Sequence, residues 1–214
     1  MEDINKILDE FFNTWKDDTN SRYLSWEHCY KFFKSNKIKI LKDENLLDLA
    51  SLNLAFYLAS WGMYRGSSNL LWNDYKIHKT LIKNLLEKCD NLYKTNVQFD
   101  DIKPAYDEIK KYYGEHNITP TDTLITKVLM GIFGCVPAYD NFFKKGLSKH
   151  KITQRFNKSS YKKLQNLSDK IYKKNFPNNY PPMRLIDAYF WWIGGGKKAH
   201  QKHSAKKHKA IDTK

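Results

Sequence analysis

Asp140 is the residue of this chain best placed to do chemistry. It closes the run TLITKVLMGIFGCVPAYDNFFKKGL, from Thr123 to Leu147, in which an apolar helical segment breaks at Gly134 and Pro137 and then presents one carboxylate. Flanked by Tyr139 and placed just after Val136-Pro137, that carboxylate is expected in a rigid, partly apolar setting, where its charge acts strongly. Such a group can stabilise positive charge developing on a sugar and can orient or deprotonate an attacking water, as carboxylates do in glycoside cleavage. It can equally serve as the cap of the helix that begins NFFKKGL.

Two further stretches carry candidate groups. LASLNLAFYLASWGMYRGSSNLL sets an apolar helix, Leu49 to Ser60, before a polar loop from Trp61 to Ser68. In that loop Trp61, Met63 and Tyr64 are candidates, together with Tyr139, for a base pocket or a wedge into a base stack, and Arg65 for contact with phosphate or base. The competing reading puts Trp61 and Tyr64 in the core and leaves Arg65 a surface charge. Arg22 and His28, in RYLSWEH, are spaced so that an arginine and a histidine could act together on a 2′-hydroxyl and a phosphate.

Val128, Leu129, Phe133, Gly134, Pro137 and Asp140 fall in the order, and nearly the spacing, of a known catalytic turn. The segment resembles that of the helix-hairpin-helix DNA glycosylases, the endonuclease-III-like superfamily. There an apolar helix runs into Phe-Gly or Leu-Gly, a short proline-bearing turn follows, and the catalytic aspartate opens the next helix. The resemblance covers about an eighth of the chain. It implies an all-α fold, base flipping, and cleavage of an N-glycosidic bond with Asp140 as the key carboxylate. In the lyase branch a lysine lies roughly eighteen residues before the aspartate as an amine nucleophile. Here that position is Asp122, between Thr121 and Thr123, and the nearest lysine, Lys127, comes one helical turn later. The resemblance therefore implies the monofunctional branch, in which water is the nucleophile. Ile118-Thr119-Pro120-Thr121-Asp122 stands where the hairpin would read Leu-Pro-Gly-Val-Gly, and the four-cysteine iron–sulfur motif is absent. No cofactor is expected.

Composition agrees with a polyanionic partner. The 214 residues carry 37 Lys+Arg against 23 Asp+Glu, a formal charge of +14, and aromatic residues make up 15% of the chain. Double-stranded DNA is the expected partner, with Lys127, Lys144, Lys145, Lys197 and Lys198 joining Arg65 on its backbone; RNA stays open, and a monomer is expected. Cys29, Cys89 and Cys135 lie far apart and suit neither a disulfide framework nor a zinc site, which fits a reducing cytoplasm. MEDINKILDEFF lacks the basic start and apolar run of a signal peptide, and Leu46 to Trp61, with its polar residues, falls short of the roughly 20 apolar residues that span a bilayer. That stretch reads as a buried central helix, and no membrane association is expected.

The apolar period is helical nearly everywhere. Ile4, Ile7, Leu8, Phe11, Phe12 and Trp15 form one stripe, Ile77, Leu81, Leu85, Cys89 and Leu92 a second, and Ile102, Tyr106, Ile109 and Tyr113 a third. Lys37 to Leu41 is the one short strand candidate. Gly114 should end a helix, Thr119 should cap the next with Pro120 in its first turn, and Ser159 or Ser160 should cap a later one. PNNYPP reads as a rigid loop before a last aromatic helix, RLIDAYFWW. The expected architecture is a single all-α domain over 1–193, followed by a flexible basic tail over 194–214 in which His200, His203 and His208 are solvated rather than metal ligands.

The functional expectation is a DNA-binding protein that excises a damaged or modified base, an aromatic-rich pocket suiting the bulky bases of phage DNA and hence antiviral defence. Two other classes stay in view: a helical ribonuclease similar to the HEPN type through Arg22 and His28, and a basic module that binds nucleic acid without catalysis. P-loop, HExxH, GxSxG and paired metal-carboxylate motifs are not found.

Overall fold

The computed structural model describes residues 3–66, 68–94, 96–171 and 180–202, and all regular structure among them is helical. The helices are α1 (Ile4–Asn13), α2 (Leu24–Ile40), α3 (Glu44–Ser60), α4 (Lys79–Lys88), α5 (Phe99–Glu115), α6 (Asp122–Ile132), α7 (Asn141–Lys149), α8 (Lys158–Ser168) and α9 (Pro182–Trp191). Single 3-10 turns at Asn69–Trp72, Tyr75–His78 and Asp90–Tyr93 connect α3 to α4 and α4 to α5. Helix α3 packs on α2, α4 and α6; α1, α7 and α8 pack on α9. Every residue of α6 from Leu124 to Ile132 is buried, so the segment leading to Asp140 runs through the middle of the molecule.

Local signals start most helices where the physics demands. Asp43 accepts from the Asn45 and Leu46 N–H groups at 2.9 and 3.2 Å to open α3, and Asp3 opens α1 in the same way. Elsewhere the boundaries move. Lys37–Leu41 is the end of α2 and not a strand: Phe33 and Ile40, two turns apart, share the buried face, while Ile38 is 63% exposed. Gly114 lies inside α5, and the chain turns at Asn117, whose φ of 58° lets the Ile118 N–H reach the Tyr113 carbonyl at 2.8 Å. Thr121 rather than Thr119 caps α6, accepting from the Leu124 N–H at 3.2 Å. Asn157, in a reciprocal box with Ser160, caps α8. Of the PNNYPP loop, 177–179 lie outside the described residues, and Pro182 opens α9.

The three glycines expected to begin the tail instead form a packed turn. The chain kinks at Gly195, whose φ is 134°, between α9 and a further helical stretch over 197–202; 203–214, with His203 and His208, lie outside the described residues. The reason is the approach of α7: a Cβ on Gly194 would fall 1.8 Å from the Phe142 carbonyl oxygen, and one on Gly146 would fall 2.2 Å from that of Phe190. Only residues without side chains let these backbones cross so closely. Helix α3 also departs from expectation, since Leu49, Leu52 and Phe56 are 44%, 48% and 58% exposed although Ala50, Leu54, Tyr57 and Leu58 are fully buried. Among the described residues no helix is long and apolar enough to cross a membrane.

Candidate active site

The turn that delivers Asp140 is held by hydrogen bonds to several of its backbone groups. Gly134, at φ 67°, ends α6 with its N–H shared between the Leu129 and Met130 carbonyls, each at 3.1 Å. A side chain there would be strained, and its Cβ would meet Pro181 at 2.6 Å. Tyr161 Oη then donates to the Cys135 carbonyl at 3.0 Å, and the Ala138 N–H donates to Asp187 Oδ1 at 2.9 Å. The Tyr139 N–H donates to Thr126 Oγ1 at 3.0 Å, while Thr123 Oγ1 donates to the Tyr139 carbonyl at 2.7 Å. Buried loop backbone needs such partners, and three helices supply them here. Asp140 emerges half-buried as the N-cap of α7, with Oδ1 accepting from the Phe143 N–H at 2.9 Å. Among the described residues no hydrogen bond engages its Oδ2.

Beneath Asp140 lies a cluster of charge. Lys127, only 4% exposed, reaches from α6 to donate to the Trp61 carbonyl at 2.6 Å, capping the carboxyl end of α3. Burial lowers its ammonium pKa; Asp140 and Asp187 act in the opposite direction, and Arg22 and Arg65 push it further down. Arg22 Nη2 donates to the Ser60 carbonyl at 3.1 Å, and its guanidinium lies 5.6 Å from the Trp61 ring centroid. On α9, Arg184 and Asp187 form a fully buried pair at 2.7 Å, the guanidinium lying 5.0 and 5.3 Å from the Trp26 and Trp61 ring centroids. Burial lifts the Asp187 carboxyl to about 6 against the pull of Arg184. Arg184 Nε and Nη2 and the Tyr57 hydroxyl have no hydrogen-bond partner among the described residues. Arg184, Asp187 and Tyr57 were not singled out from the sequence. An Arg and an Asp three apart in the apolar run RLIDAYFWW are the signal that would have marked the first two.

The remaining candidates divide. Trp61 is buried, its indole N–H donating to Ser25 Oγ at 3.0 Å, and Tyr139 is buried with its hydroxyl 3.1 Å from Ser160 Oγ. Neither stands free to enter a base stack. Tyr64 is half-buried and its hydroxyl sits 2.7 Å from His78 Nε2, so packing holds this ring as well; Met63 is half-buried against the core. Arg65 is exposed, its guanidinium folded against Gly62. Lys145, Lys197 and Lys198 come together with Lys149 and Lys202 around a groove of about 630 Å³ that Ile7, Phe142 and Ile193 also line, together with Glu10, which pairs with Lys197 at 2.5 Å. Lys144, half-buried on α7, does not line it, and Lys127 lies in the interior. A larger cleft of about 920 Å³ adjoins Gly134 and Cys135, and Asp140 lines neither space. His28 is exposed on α2, and no hydrogen bond joins it to Arg22 among the described residues. No group of His, Cys, Asp or Glu among the described residues is arranged to hold a metal ion, and the three cysteines are free and buried. Compared with protein-family models, curated proteins and solved structures, the chain matches none.

Proposed function

We propose that this protein is a monofunctional DNA glycosylase that flips a damaged or modified base out of duplex DNA and cleaves its N-glycosidic bond with Asp140. One observation carries the reading. The two segments singled out separately from the sequence are tied together: Lys127, on the helix that leads into the Asp140 turn, bonds the Trp61 carbonyl at the start of the loop after α3. A half-exposed carboxylate with one oxygen uncommitted can face the sugar and orient water, while Arg65, and the lysine groove along α7 and the last helix, provide positive charge for phosphates. The turn's side-chain bonds fix that carboxylate before substrate arrives, as preorganised electrostatic catalysis requires.

A second reading has its own support: Asp140 caps α7, and the lysine groove stands without it. In that case the protein binds nucleic acid and does no chemistry. Asp140→Asn separates the two, because asparagine caps a helix about as well as aspartate. Wild type and the variant are incubated with duplexes carrying ordinary, damaged and bulky modified bases, and alkali-labile abasic sites are scored on a denaturing gel. The expected result is abasic sites with wild type and a rate at least about 100-fold lower with Asp140→Asn, at equal binding. Binding without abasic sites from either protein refutes the glycosylase and leaves the binding module. RNA cleavage abolished by His28→Ala would move the function to the ribonuclease class.

A further inference from the structure

Helix α3 is predominantly apolar, with Asp48 as the charged residue of its middle turns, and the fold leaves one apolar side of it open. Its exposed positions after Glu44 are Asn45, Leu49, Leu52, Phe56 and Ala59, spaced alternately by four and three residues along four turns. Leu49, Leu52 and Phe56 are roughly half exposed at 44%, 48% and 58%. That spacing is the seam of a helix that packs against another helix. The chain carries 37 Lys+Arg in 214 residues, yet ENLLDLASLNLAFYLAS contains neither. Lys79, on Glu44 and Asp48, and Arg22, on the Ser60 carbonyl, lie toward its two ends, and the stripe of Leu49, Leu52 and Phe56 suits an apolar partner better than nucleic acid.

We infer that this face pairs with the same face of a second copy, the two α3 helices lying antiparallel across a two-fold axis between Leu52 and Phe56. In that register Leu52 meets the partner's Phe56, and Leu49 meets the partner's Ala59, so large sits against large at the centre and large against small toward the ends. All four exposed apolar residues are covered at once, which is the self-complementarity an isologous interface needs. The charges at the two ends agree in part. At the amino end of α3 Glu44 and Asp48 are already paired with Lys79, at 2.6 and 3.3 Å, while Asp43 is exposed; Arg22 is held on the Ser60 carbonyl at the carboxyl end, so antiparallel pairing brings Asp43 toward the arginine twice. It also opposes the two helix dipoles favourably. The proposal is thus a dimer, where the sequence led to the expectation of a monomer.

The test is light scattering on the full chain up to about 100 µM, for wild type and for Leu52→Glu. Cross-linking by a short bismaleimide follows, on Leu52→Cys and on Trp72→Cys, the latter 84% exposed and off the stripe. The native cysteines are buried and do not compete. Wild type is expected at about twice the 25.4 kDa chain mass and Leu52→Glu at the chain mass with an unchanged melting temperature. Leu52→Cys should cross-link at least about tenfold faster than Trp72→Cys, since proximity raises effective concentration. A wild type that stays monomeric throughout overturns the proposal and gives the face to another partner. A dimer that survives Leu52→Glu, or equal cross-linking of the two cysteine variants, overturns it by placing the contact elsewhere.

Discussion

His78 makes a sharp test of how this core is built. It is fully buried, with Nε2 2.7 Å from the Tyr64 hydroxyl and Nδ1 3.0 Å from the Tyr113 hydroxyl, so one tyrosine donates to a neutral ring and the other accepts from it. Burial pushes its pKa from an ordinary 6.5 down to about 3. Between those values the unfolded chain binds a proton that the folded protein refuses. Stability therefore rises with pH across the window, is fully present above 6.5, and is lost as pH falls. From about pH 7 to about pH 5 the linkage amounts to about 2 kcal/mol, at about 1.4 kcal/mol per pH unit once the unfolded histidine titrates. Asp187 works the other way, because a carboxyl lifted to about 6 favours folding as pH drops through that value. The comparison must accordingly be between wild type and His78→Gln, which removes the titration and leaves Asp187 in place. Urea unfolding monitored by circular dichroism at a series of pH values gives both curves. The variant is expected to be less stable at neutral pH and to lose about 2 kcal/mol less on acidification. Parallel curves for the two proteins over that window would refute the buried neutral histidine.

Other outcomes follow from the same packing. Asp187→Asn leaves Arg184 buried without its counter-charge and is expected to cost about 3–5 kcal/mol, read as a lowered urea midpoint at constant slope. Gly194→Ala drives a methyl group into the Phe142 carbonyl, a backbone atom that cannot swing aside; a cost of about 3 kcal/mol or more is expected, with limited proteolysis opening the chain after α9. Asp140→Ala should cost about 1 kcal/mol through the lost cap where Asp140→Asn costs little. A melting temperature equally lowered by both would show that the capping bond is not what Asp140 contributes to the fold.

Amino-acid order alone determined the helical class, because the 3.6-residue apolar period is a local property that survives without knowledge of neighbours. It also marked the Gly134–Asp140 turn, since a left-handed glycine, a proline and a capping acid are local requirements of that backbone. Boundaries shifted wherever two capping residues competed, as at Thr119 and Thr121 or Ser159 and Asn157, because the choice depends on which residue the packed helix leaves extended. What only the tertiary structure decided is which side chains face one another. The pairing of Arg184 with Asp187, the reach of Lys127 to the Trp61 carbonyl, and the Tyr64–His78–Tyr113 chain join residues 3 to 66 positions apart. Gly194–Gly196 looked like the start of a tail because glycine is equally the residue of flexible chain and of close backbone contact. Only the arrival of α7 against that segment, placed by the fold, makes it the latter. The open side of α3 follows the same rule: its sequence is predominantly apolar, and the packing of α2, α4, α6 and the Tyr75–His78 turn determines which face remains uncovered.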